Sequence, residues 1–169
     1  MANTSYFGML LIELCDHIKA QVPEVRWVDQ DLGQLEEYEM RPAVTFPCVL
    51  IDFAATSYND LSDNAQTGET TILVRIGMNP FSKSNVQAPT EVREKAVEYY
   101  DIEQKVHQCL QGWQNDFTSA LARRSADTEN RNDKLRVRLL TYETSYEDYS
   151  NLPIRTATPA DMNISGAID

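Results

Sequence analysis

Apolar positions along the chain fall into two runs rich in β-branched residues, two helical stripes and a set of shorter alternations. Residues 47–54 read PCVLIDFA and residues 70–79 read TTILVRIGMN. The second run alternates, with Ile72, Val74, Ile76 and Met78 on one face, as a half-buried strand does. Fifteen polar residues, 55–69, lie between the two runs. Connections beyond about 12–15 residues are usually functional or unstructured. The expectation is therefore a strand pair carrying a long exposed loop that is presented to something.

Residues 5–21 read as a first helix, capped by Thr4 or Ser5 and stopped by Pro23. Its stripe contains Tyr6, Met9, Leu10, Cys15 and Ile18, broadened by Leu11, Ile12 and Leu14. Residues 24–28 form a short strand candidate. Residues 29–39 then carry five acids (Asp29, Asp31, Glu36, Glu37 and Glu39) and no base, which fits a loop or a weak strand. Pro42 and Pro47 bracket residues 43–46. Pro47 suits the first position of a strand, where a missing amide donor costs nothing. Residues 80–88 are a polar connection.

Residues 90–113 make the strongest element, with Tyr99, Ile102, Val106, Leu110 and Trp113 advancing by three or four. Thr90 is a cap candidate after Pro89. Glu91 with Lys95, and Asp101 with Lys105, are acid-before-base pairs one turn apart. Residues 117–124 and 134–146 read as a second hairpin joined by polar residues 125–133. Leu135, Val137 and Leu139 face one way in its last strand and Arg136 and Arg138 the other. Beyond residue 150 the pattern has no period, so residues 151–169 are expected to form a flexible arm. The expected architecture is one α+β domain over residues 1–150. It has a mostly antiparallel sheet of four or five strands, an N-terminal helix and one long central helix, with a long β-hairpin loop.

Charge narrows the partners. The 169 residues hold 15 Lys plus Arg against 26 Asp plus Glu, a net charge of −11. Phosphate binding needs a cationic footprint, so no specific nucleic-acid binding is expected. No segment approaches the ~20 apolar residues of a membrane span, and residues 1–5 lack the basic start of a secretory leader. Cys15, Cys48 and Cys109 lie in apolar patterns and read as buried free thiols.

Catalytic chemistry finds no support. His17 and His107 stand one in each helix, without a nucleophile and carboxylate set. His107 with Cys109 is half a metal site at most, and the two point to different sides of a helix. Residues 59–64 (NDLSDN) lack the alternate-position ligands and closing Glu of a calcium loop. No glycine-rich phosphate loop is present. The expectation is a protein that is not an enzyme, with no cofactor and no metal. Tyr142, Tyr146 and Tyr149 alternate with the acids Glu143, Glu147 and Asp148. They either pack on a helix as the strand leaves the sheet or form a subunit interface, where tyrosine is enriched.

The element order, with RPAVTFPCVLIDF before the first long strand, resembles the tail-completion or tail-terminator proteins of tailed bacteriophages. Pro42, Phe46, Pro47, Val49 and Ile51 carry the local likeness, residues 99–110 the major helix and residues 135–142 the final strand. The likeness covers residues 5–146; residues 29–39 and 151–169 have no counterpart. It implies a ring, typically six copies, that caps the tail tube and joins it to the neck. Its partners would be itself, tail-tube proteins and neck or connector proteins. Such a protein belongs to the virion and assembles in the host bacterial cytoplasm. DNA would pass through the ring, and an acidic lumen would avoid holding it, with Asp60, Asp63 and Glu69 as lumen candidates. Another phage neck or tail component, or a small acidic inhibitor mimicking nucleic acid, are the competing readings.

Overall fold

A computed structural model describes residues 5–36, 44–62, 64–79 and 84–152, and over these the chain builds two helices and five strands. The order is α1 (Tyr6–Gln21), β1 (Trp27–Gln30), β2 (Cys48–Ser62), β3 (Ala65–Met78), α2 (Thr90–Leu110), β4 (Ala122–Thr128) and β5 (Arg136–Asp148). The strands lie side by side as β1-β2-β3-β5-β4. Only the β1–β2 pair is parallel; the other three pairs are antiparallel. This is the α+β class with a mostly antiparallel sheet that the pattern predicts.

Both helices pack on one face of the sheet. Leu10, Leu14 and Ile18 recur every fourth residue along α1 and are buried. From α2, Val106 and Leu110 join them. They meet Val49 and Ile51 of β2, Ile72, Val74 and Ile76 of β3, and Leu140 and Tyr142 of β5. Fully burying one such side chain stabilises the fold by about 1.5–3 kcal/mol. The opposite face has a smaller cluster, in which Leu35 covers Cys48, Leu50 and Val137. Among the described residues no helix covers this face.

The main difference from the pattern lies between residues 55 and 69. They are not a loop. β2 runs to Ser62 and β3 starts at Ala65, so the connection is a tight turn with Asn64 in the left-handed region at φ 69°. Pairs such as Ser57–Glu69, Tyr58–Gly68 and Asn59–Thr67 continue the ladder outward. The alternation is hard to read because both faces of this extension are polar. A slip of register at residues 53–56 also breaks the period.

Other bounds shift for local reasons. α2 ends at Leu110, and Gly112 turns the chain at φ +78°, so Trp113 lies past the helix. Pro89, not Thr90, occupies the position before the first helical residue. Lys105 pairs with Glu24, 81 residues away, instead of closing onto Asp101. β4 begins at Ala122, while Asn115 organises a turn by accepting the amides of Phe117 and Thr118 at 3.1 and 2.9 Å. Residues 125–128, expected to be connection, pair with β5. The Phe46–Pro47 peptide is cis. Residues 37–43, Pro42 among them, and residues 153–169 lie outside the described residues.

Candidate functional site: the hairpin arm and the sheet edges

β2 and β3 continue outward as a hairpin arm past the level of Tyr6 at the start of α1, and β5 pairs with β3 along it as far as Asp148, opposite Gln66. From Ser57 to Ser62 every residue of β2 is exposed. An isolated hairpin is marginally stable in water, and β5, paired with β3 from Met78 to Gln66, makes the arm three-stranded. An aromatic cluster ties it to α1. The ring of Tyr146 stacks on Tyr6 of α1, with centroids 3.3 Å apart and planes 14° apart. Its hydroxyl meets the Tyr58 hydroxyl at 2.9 Å. Phe7 lies against Phe53 at 4.9 Å, and Phe117 edges Tyr6 at 5.3 Å. Gly68 makes this possible, because a β-carbon there would come within 2.6 Å of the Tyr146 ring. Burial raises the pKa of the Tyr6 and Tyr146 hydroxyls well above the usual phenol value.

The same arm is fastened along its second side. Thr144 Oγ1 donates to the Ser119 carbonyl at 2.6 Å, and the Ser145 amide donates to Ser119 Oγ at 2.8 Å. Thr56 and Thr70 share a hydroxyl–hydroxyl bond across the strands. None of these contacts involves an apolar periodicity, which is why the sequence pattern missed them.

The three lumen candidates separate. Asp60 shares a face with Tyr58, the helix side, and accepts a bond from Gln66 Nε2 at 2.9 Å. Glu69 is exposed on the opposite, helix-free face, aligned with Ser57 and Ser145. Asp63 lies outside the described residues. Glu143 and Glu147 share the face of Glu69, and a trough of about 380 Å³ opens there between Ala55, Ser57, Glu69, Ala122, Arg124 and Glu143. Arg124 pairs with Glu143 at its rim. The trough is open to solvent and holds no nucleophile paired with a base.

The three tyrosines also separate. Tyr142 has no exposed surface; its hydroxyl lies 3.1 Å from His107 Nδ1. Tyr146 is 5% exposed, in the arm's aromatic cluster. Side chains so placed pack within the subunit, so only Tyr149, 52% exposed, is free to meet a neighbour. It bonds Glu147.

The acidic segment before β2 acquires partners that sequence neighbours do not supply. Arg75 projects from β3 on the helix-free face. It donates to Asp31 at 2.8 Å, to both oxygens of Glu129 at 2.6 and 2.8 Å, and to Glu36. Arg131 adds bonds to Glu129 at 3.2 Å, to Asp133 and to the Leu35 carbonyl. Bonds from Arg75 hold the Glu36 carboxyl below the usual range, and bonds from Arg131 do the same for Asp133. The network straps residues 31–36 over Leu50 and Val137. Its one sequence signal was Arg75 interrupting an otherwise apolar strand.

The remaining chemistry-bearing groups serve packing. His17 Nε2 meets the Cys109 carbonyl at 2.8 Å, joining the two helices. Burial lowers the basicity of His107. Arg138 forms a two-bond pair with Glu103 at 2.7 and 2.9 Å. Among the described residues no cluster of three or more His, Cys, Asp or Glu side chains could hold a metal ion. No helix among them is long and apolar enough to cross a membrane.

No known protein-family model matches the sequence, and no curated protein matches it. Among solved structures, the chain is similar to a chain of the virion of a native gene transfer agent particle. That match has 11% identity and a TM-score of 0.48, and covers 86% of this chain and 100% of the other.

Proposed function

We propose that this protein is a virion structural subunit. Copies of it assemble head-to-tail into a ring that caps a phage-type tail tube and joins it to the neck. The observation that carries this reading is the arm: an acidic hairpin, paired with β5 on its β3 side, that closes over no reactive group among the described residues. A lid would need a pocket with reactive groups beneath it, and the arm stands on an aromatic base instead. Head-to-tail contacts close into rings without a self-complementary patch, and an arm beside an open sheet face provides two different surfaces for them. The sequence resemblance to tail-completion proteins supplies the location.

In this reading the helix-covered face points outward. The thinner helix-free face, with Glu69, Glu143 and Glu147, lines the passage. Like charge keeps DNA from adhering there. Hexameric stoichiometry and contacts with tail-tube and neck proteins belong to the same proposal.

Deletion of the gene in a host that produces the particles tests it. The expected result is tails that lack heads or have uncontrolled length, restored when the protein is supplied. Normal particles from the deletion strain would overturn the reading. A direct check is electron microscopy of purified tubes incubated with the protein, in which density should appear at tube ends.

A further inference from the structure

Among the described residues both edges of the sheet are open over part of their length, the β4 edge beyond Leu121, which exchanges backbone bonds with Gly112 and Trp113. β1 pairs only with Cys48–Ile51, so from Asp52 to Ser62 the described residues give β2 a single strand neighbour, β3. At the other side β4 is the last strand. Natural edges are normally blunted by proline, lysine or a covering element. The β2 edge carries neither proline nor lysine over residues 52–62, and β4 carries neither over residues 122–128. One outward amide of β4 is occupied, that of Arg123, which donates to Gln111 Oε1 at 3.0 Å.

The two edges are complementary in charge. Residues 52–74 contain Asp52, Asp60, Asp63 and Glu69 and no Lys or Arg. β4 carries Arg123 and Arg124, both exposed, against one acid, Asp127; Arg124 lies beside Glu143 of its own chain, which leaves Arg123 as the cation without an ion pair among the described residues. Their directions also fit. β2 and β5 run one way, β3 and β4 the other. A neighbour in the same orientation therefore brings its β2 antiparallel to β4, the pairing with the better hydrogen-bond geometry.

We infer that β4 of one copy pairs with the free edge of the β2 arm of the next, so that the ring is one intermolecular sheet. The inference rests on the ring proposed above and names its interface. The pairing requires a stagger. Ser125 lies level with Thr141, Leu73 and Asp52, whereas the arm centres on Ser57, level with Glu69, four residues farther along β3. With rises of ~3.4 Å per residue and four spacings of ~4.8 Å from one β2 to the next, the stagger is roughly 14 Å over a width of roughly 19 Å. That tilts the strands by roughly 35°, at the edge of the 35–45° at which closed sheets run. The stagger that joins the charged edges is thus one that lets a sheet close.

The test places Ser57→Cys and Ser125→Cys in one chain, with each single variant as control. Mild oxidation of rings on tubes should give a ladder of covalent oligomers from the double variant only. Rings that form but give no ladder would overturn the edge pairing and leave the ring reading intact. Failure of the unsubstituted protein to bind tubes or form rings would overturn both. In a second arm, Arg123→Glu with Arg124→Glu should reduce ring yield at least tenfold, with thermal melting showing that the fold is kept. Adding Asp60→Lys with Glu69→Lys to the same chain should restore the yield. Unchanged yield in the arginine variant, or no recovery on adding the lysines, would also overturn the pairing.

Discussion

The Tyr146 ring rests directly on Gly68, leaving no room for a β-carbon, which would sit 2.6 Å from Cε1 and 2.7 Å from Cζ. The contact joins β5 to the outward half of β3 and lets the Tyr146 hydroxyl reach Tyr58. Gly68→Ala should therefore destabilise the fold by about 1–3 kcal/mol, the usual range for overpacking a filled site. Urea unfolding measures this, and hydrogen exchange should show loss of protection concentrated in residues 56–70. A neutral substitution would mean that the arm is not held by this stack.

Arg75 joins three carboxylates from two distant parts of the chain, residues 31–36 and Glu129, and its own side chain is only 12% exposed. Removing one partner of a buried ionic set leaves the others repelling and underbonded. Arg75→Met should cost roughly 3 kcal/mol. Arg75→Lys should recover little of it, because an ammonium cannot reproduce the two-bond pairing with Glu129. Cleavage by protease near residues 31–36 should rise in both variants.

The same network gives stability a pH dependence of known sign. Glu36 and Asp133 bind protons less readily in the fold than in the unfolded chain, through Arg75 and Arg131 respectively. Their contribution is present above the ordinary carboxylate range and is lost as pH falls, between about pH 5 and pH 3. The urea midpoint should fall over that interval. It should fall less steeply in Arg75→Met, where Glu36 loses the bond that lowers its pKa.

Burial pushes the thiols of Cys15, Cys48 and Cys109 up to about 11. The thiolate is the reactive form, so a disulfide reagent at pH 7.5 should react slowly with the folded protein. Three thiols should react promptly in denaturant, and Cys48, which is fully buried, should be the slowest in the native state. Prompt native reaction at Cys48 would contradict the packing of Leu35 over it.

If the helix-free face lines a DNA passage, neutralising Glu69, Glu143 and Glu147 to Gln should slow DNA release from particles, most visibly at low salt. Asp60→Asn, on the opposite face of the arm, should have a smaller effect. Equal effects from both faces would remove the assignment of a lumen side.

The sequence alone determined the two helices, the buried halves of β2, β3 and β5, the α+β class and the acidic balance. Each of these is reported by a local period or a simple count, since one-sided burial repeats every two or about 3.6 residues. What the tertiary structure decided depends on residues far apart in the chain. Arg75 and Asp31 are separated by 44 positions, and Tyr58 and Tyr146 by 88. The polar strands of the arm hold together through cross-strand hydrogen bonds and one aromatic stack, neither of which leaves an apolar period. Tyrosines that could have faced a partner were drawn inward because Gly68 and α1 leave a slot for Tyr146, and His107 offers Tyr142 a hydrogen-bond partner. Pairing register and ionic partners are properties of the folded surface, and only the assembled sheet brings them together.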